Sequence, residues 1–557
     1  MAVLVEEASP LLYGAPKPLP FELVQHVGIF FEEKLHTQAL SLLLDSLSSQ
    51  PDASTPTFIP SPQHLALAAT FLVHPSTTAR PKTTEEEEAP NVALRLLRLV
   101  NSLVGPTNAN FNTAFLFTHF ETSRHGGRRH ADDATPSEGR KPLNLDRDID
   151  IDLAQSASVW SRAEDFWHAV GWAFNCSVLH PARWERWRVW LEFMCEVLEN
   201  DWDERLRRKE NGKPPKEAKK AKKKAEGKQD LEGSMIVHYI NSSSAGFGRN
   251  RRILRSIFAD GGANSVNEFR EVFHHEVKLS LKKTRKEKDT KKREAAVDIE
   301  ADEYADFYMS SDYDTSSSTG GRESKRPRRS RAATKRSATG TPKPNTDSLP
   351  NPILPIAVLG DTASLSLRQR LLQLLSTVSE ALPQHLMDLQ DLYHLFVEFI
   401  RPLPLPIYQS FISPFALSHF TPAAQTTLCE FLLYRLRETA APNSDENYLS
   451  QTKLETCFLP YATATLSLSD NAKMSITLES LLMLLAESDL LVITENTKRL
   501  TKTGIIRRAD KAQYETRKNQ LARMSEDMEW SWLCESAERL TFLVEEVILG
   551  DSASSGS

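Results

Sequence analysis

The chain has 557 residues, with 68 Lys and Arg against 74 Asp and Glu, a net charge of −6. That balance gives no reason for wholesale nucleic-acid binding, and five Cys rule out a disulfide scaffold. Only 21 Gly argue against turn-rich β folds and Gly-rich phosphate loops, and the length allows about three domains.

The first residues carry no basic region and no long apolar run, and Glu6 and Glu7 speak against a mitochondrial presequence. The most apolar run further on, 481–485, falls far short of the roughly 20 residues a bilayer needs. A soluble, intracellular protein with reduced thiols and no membrane contact is expected.

Residues 1–204 read as an N-terminal helical block. Phe21, Leu23, Val24, Val27, Phe30 and Phe31 recur at three- and four-residue steps, and Leu35, Ala39, Leu42, Leu43 and Leu47 keep that period. Residues 50–62 and 75–90 read as loops around an apolar run at 65–73. A helix over 92–103 stops before the breaker pair Gly105 and Pro106. The polar stretch 120–146 reads as an exposed loop. Seven of the nine Trp then crowd into 155–205, and Trp184, Trp187, Trp190, Leu191, Met194, Val197 and Leu198 form one helical stripe.

Residues 205–232 read as a basic linker, almost wholly charged and without an apolar face after Leu206. A helical segment follows at 233–282, carried by Ile236, Ile240, Ile253, Leu254, Ile257, Phe269 and Phe273. Residues 283–350 are basic, then acidic and aromatic, then Ser-rich, then basic again. They lack the apolar density to offset chain entropy, so a disordered charged linker is expected. The C-terminal helical block, 351–549, opens with Leu365, Leu367, Leu371 and Leu375 and continues through Leu386–Phe399 residues at helical spacing. Helices are expected at 422–438, 470–488, 505–526 and 530–548, with 490–494 the best strand candidate and 550–557 a disordered tail. The fold class is all-α: an irregular multi-helical body, solenoid-like or bundled, with long disordered charged linkers. Whether the two blocks pack together is left open by the sequence.

No Walker-type phosphate loop occurs. The segment Gly246-Phe247-Gly248 lacks a third Gly and reads as a polar turn before a helix at 250–259; the functional alternative is that Arg249, Arg251 and Arg252 meet an anion at the helix start. No Cys pair has zinc-site spacing. His119, His125, His130, Asp132 and Asp133 form a loose group, but Arg124, Arg128 and Arg129 among them oppose a dication. Cys176 and Cys195 sit among Trp and Phe, which marks buried structural thiols. The string 183–190 interleaves Trp with Arg. A stacking platform for single-stranded nucleic acid is one reading; a buried Trp face is the other, favoured because the stripe continues into Leu191, Met194 and Val197. No cofactor or metal is implied.

The basic cluster Lys325, Arg326, Arg328, Arg329, Arg331, Lys335 and Arg336 has the character of a nuclear-import signal, so an import receptor and nuclear residence are expected. The same basic stretches offer weak, non-specific, salt-sensitive contacts to nucleic acid. Ser311, followed by Asp312 and Asp314, fits an acidic-directed phosphorylation site. The function expected is a non-enzymatic nuclear scaffold or adaptor that binds protein partners through helical surfaces, in chromatin or genome maintenance. The alternatives are a ribosome-biogenesis factor or an all-α enzyme whose site carries no motif.

Overall fold

The computed structural model describes residues 13–48, 56–118, 149–211, 230–243, 248–277, 358–515 and 520–547, apart from 418, 445 and 447. The import-signal cluster, Ser311, the His119–Asp133 group residues, and most of the two charged linkers lie outside these residues.

The described chain is helical almost throughout. A short strand β1 (Pro16–Pro18) precedes α1 (Phe21–Glu32) and α2 (His36–Ser48); β2 (Thr57–Ile59) precedes α3 (Pro62–Phe71), α4 (Pro75–Thr78), α5 (Thr84–Leu103) and α6 (Phe111–Ala114). Then come α7 (Val159–Arg162), α8 (Phe166–Leu179), α9 (Pro181–Asn211), α10 (Met235–Asn241), α11 (Arg249–Ile257) and α12 (Ala263–Glu268). The C-terminal block holds α13 (Thr362–Ala381), α14 (Leu389–Ile400), α15 (Leu405–Ile412), α16 (Pro422–Leu436), α17 (Gln451–Cys457), α18 (Leu468–Glu487), α19 (Glu495–Gln513) and α20 (Gln520–Phe542). This is the irregular all-α body that the apolar spacing predicts.

Four local departures follow. The loop expected at 75–90 is mostly helix, with Pro90 inside α5. Thr83 Oγ1 accepts the Glu86 N–H, and Glu85, Glu86 and Glu87 complement the positive end of the helix, so α5 starts well before its apolar stripe. Glu85 also reaches α2, where its carboxylate accepts the Thr37 backbone N–H at 2.8 Å. The strand expected at 490–494 has no strand partner; instead the Gln451 amide bonds both the N–H and the C=O of Val492, at 3.0 and 2.7 Å. Within the stretch 50–62 read as a loop, β2 pairs parallel to β1, with Lys17 opposite Phe58. Finally, α19 begins ten residues earlier than its apolar pattern, because Thr494 and Thr497 cap it reciprocally.

Two nearly all-buried helices organise the core. In the N-terminal block α8 is buried from Phe166 through Ser177, and Gly171 is required there, since a Cβ would stand 2.3 Å from the Phe269 ring. In the C-terminal block α18 plays that part. The blocks belong to one compact unit that combines residues up to 279 with those from 354 onward. The joint is polar as well as apolar. Arg370 makes a two-pronged pair with Glu199 at 2.9 and 2.6 Å, the Trp184 indole donates to Asp361 at 3.1 Å, and Phe258 stacks between Phe399 and Phe411. Arg368, fully buried, donates to the carbonyls of Ile257, Ala259 and Leu359 and lies 4.0 Å over the Phe174 ring.

Candidate ligand-binding cleft

The chain after α12 turns back over α8 as a strap, 269–277. Asn175 Nδ2 donates to the Phe269 carbonyl at 3.1 Å, and a ring nitrogen of His168 lies 3.2 Å from the Arg270 carbonyl. The strap ends on Glu276, whose carboxylate is wholly buried. It accepts from the Trp172 indole at 2.9 Å, the Trp187 indole at 2.5 Å, the Phe273 N–H at 3.3 Å, and Arg183 Nε and Nη2 at 3.0 and 2.5 Å. Arg183 Nη2 also donates to the Val73 carbonyl at 2.6 Å, and Nη1 to Thr78 Oγ1 at 2.7 Å. A buried ion pair persists only when hydrogen bonds satisfy its remaining sites, and here they do. The knot fixes strap, α8 and α9 as one rigid surface.

Beside the knot lies a cleft of about 1080 Å³. Arg162 enters it from the last turn of α7, His180 from the turn between α8 and α9, and Arg270 and His274 from the strap. Ser156 and Ser161 bring hydroxyls, Trp172, Leu179 and Val266 an apolar surface, and Glu271 the one carboxylate of the lining. Glu271 is engaged with the Glu276 N–H at 3.3 Å. Arg270 Nε donates to the Asn267 carbonyl at 3.2 Å, which leaves its terminal nitrogens free. Among the described residues no carboxylate pairs with Arg162 or Arg270. His74 meets the strap's Phe273 edge-on at 4.8 Å. Burial and then the guanidinium groups of Arg183, Arg80 and Arg162 push that imidazole down to about 4.

The second large groove contrasts with this one. It spans about 1120 Å³ between α2, α5 and α9, and mixes Asp45, Glu196 and Glu199 with Arg95 and Arg98. Arg98 pairs with Glu196 at 3.1 Å, and Glu199 is taken by Arg370. There Arg98, Glu196 and Glu199 are all ion-paired; in the cleft Arg162 and Arg270 have no carboxylate partner among the described residues, and Glu271 stands in the same lining. The cleft lining offers an incoming anion the Arg162 and Arg270 guanidinium groups.

The residues singled out in sequence fall elsewhere. Arg249 Nη2 donates to the His385 carbonyl at 2.7 Å, Arg251 pairs with Glu398 at 2.8 Å, and Arg252 pairs with Asp165 at 2.5 Å. All three are engaged within the chain, the first two across the joint between the blocks. Trp184, Trp187 and Trp190 are buried, so the Trp–Arg string is core and not a stacking platform. Cys176 and Cys195 are buried too; burial pushes both thiols up, Cys195 to about 12, away from reactivity. Among the described residues no group of three or more His, Cys, Asp or Glu is placed to hold a metal ion, and no helix is long and apolar enough to cross a membrane. Sequence reading missed Arg162, Arg270 and Glu276. Glu276 lies 89 and 93 residues from its α9 partners Trp187 and Arg183, and Arg162 and Arg270 sit in short polar strings without periodicity. No protein-family model matches the chain, and no curated protein matches it.

Proposed function

We propose that the protein is a non-enzymatic nuclear scaffold or adaptor whose helical body holds acidic segments of partner proteins in the cleft between α7 and the strap. One observation supports this most: two arginines without carboxylate partners, Arg162 and Arg270, open into one cleft anchored by the Glu276 knot. Unpaired guanidinium groups on a rigid frame are pre-organised for carboxylate or phosphate, because the planar fork loses little freedom on binding. Nuclear residence rests on the basic cluster 325–336, read by an import receptor. The Lys-rich stretches 205–228 and 282–293 add salt-sensitive nucleic-acid affinity.

The test is comparative purification. Wild-type protein and an Arg162→Ala/Arg270→Ala variant are isolated from cells and their co-purifying proteins quantified. Both side chains are exposed, so the variant keeps its stability within about 0.5 kcal/mol. A defined set of partners lost from the variant supports the reading; identical sets remove it. A fluorescent fusion with Arg326, Arg328 and Arg329 changed to Ala is expected to leave the nucleus. Cytoplasmic wild-type protein would overturn the nuclear part.

A further inference from the structure

We infer that the ligand of the Arg162–Arg270 cleft is a phosphorylated serine or threonine side chain of a partner protein; this rests on the acidic-segment reading above and narrows it. Two guanidinium groups without carboxylate partners, Arg162 and Arg270, face the cleft, with Glu271 at its lining. A carboxylate brings one negative charge and two oxygens. A phosphomonoester brings about −1.5 to −2 and three acceptor oxygens, more than a single carboxylate offers to guanidinium donors on one lining. His180, His274 and the Ser156 hydroxyl supply further donors on the same lining.

A protein-borne phosphate fits better than nucleic acid. Trp172, the largest ring of the lining, is 2% exposed and its N–H is committed to Glu276, so it offers no face for a base. Glu271 stands exposed in the lining, where a continuous polyanion would meet it. Leu179, 43% exposed, and Val266 provide a small apolar seat of the kind a residue flanking a phosphosite can use.

The experiment passes full-length protein over immobilised degenerate peptide libraries. These carry a fixed central phosphoserine or phosphothreonine, the unphosphorylated residue, or Glu. Retention on the phosphorylated library is expected to exceed the unphosphorylated one by about tenfold or more. Arg162→Ala/Arg270→Ala should abolish that difference. Arg162→Lys/Arg270→Lys, which keeps the charge and loses the fork, should fall between. Thermal melts confirm that each variant is folded. Equal retention on the Glu and phospho libraries overturns the phosphate inference and leaves the acidic-segment reading standing. No retention on any charged library overturns both. Undiminished phosphopeptide binding by the Ala variant places the site elsewhere and overturns the inference. Competition by inorganic phosphate as strong as by phosphopeptide would assign the cleft to a free anion, and stronger competition by a single-stranded oligonucleotide would assign it to nucleic acid.

Discussion

Glu276 and Arg368 are both buried charges that tie distant parts of the chain together, and they are stabilised in opposite ways. Glu276 meets a full countercharge, Arg183, with two indole N–H groups completing its shell. Arg368 has no carboxylate within hydrogen-bond reach. Its guanidinium donates to the backbone carbonyls of Ile257, Ala259 and Leu359, and its Nε to Ser364 Oγ at 3.2 Å. Ile257 is the last residue of α11, so the cation sits where unpaired carbonyls and the helix dipole both favour it. Burial still pushes Arg368 down to about 9 against the pull of Asp260 and Asp361, and it remains protonated at neutral pH. Arg508 repeats the device in the C-terminal block, with Ser475 Oγ at 2.8 Å and the Tyr461 carbonyl at 3.2 Å. There Gly504 lets α19 approach the Leu459 carbonyl, which a Cβ would meet at 1.9 Å. An ion pair fails when either member is removed, whereas a cation among carbonyls leaves no buried charge behind.

That asymmetry sets the order of expected effects. Glu276→Gln strands Arg183 without its countercharge and should cost about 3–5 kcal/mol in urea unfolding. Adding Arg183→Met should recover part of that loss, and additive costs would show that the two do not act as a pair. Trp187→Ala removes a fully buried ring as well as a donor to Glu276, for about 3–5 kcal/mol. Trp187→Phe, which keeps most of the volume, should cost about 1–3 kcal/mol by leaving Glu276 one donor short.

Acid attacks the same side of the molecule. His74 titrates near 6.5 in the unfolded chain and about 4 in the folded one. The unfolded state therefore binds the proton first, and stability present above pH 6.5 is lost as the pH falls toward 4, by about 3 kcal/mol. His74→Gln should flatten that part of the stability profile; an unchanged slope would show that His74 is not desolvated. On the other side of the comparison, Arg368→Met leaves carbonyls short of a donor but no naked charge, for about 1–3 kcal/mol. A loss larger than that of Glu276→Gln would reverse the ranking. Smallest of all, Arg98→Ala breaks an exposed pair with Glu196 and should change the melting free energy by less than about 1 kcal/mol.

Helix positions were legible wherever apolar residues recur at helical spacing: Trp184 through Leu198 in α9, Leu365 through Leu375 in α13. Starts set by caps were harder, because Thr83 and Thr494 act on the backbone and leave no apolar trace. The cleft was not legible at all. Arg162 and Arg270 belong to strings with no period, and their meaning comes from which carboxylates they lack, a property of tertiary contacts. Glu276 carries no sequence signal of its own; its burial depends on Trp172, Trp187 and Arg183, roughly a hundred residues away in sequence. The Trp stripe, in contrast, announced itself as core through its continuation.

Arg368 also has a consequence for the order in which the protein is made. It bonds the Ile257 carbonyl across 111 residues of sequence, and Glu276 reaches Arg183 across 93. At roughly 5–20 residues per second of synthesis, α11 exists for on the order of ten seconds before its clamp is translated. For most of that interval the Trp-lined half of the molecule has its helices and Glu276 but not Arg368.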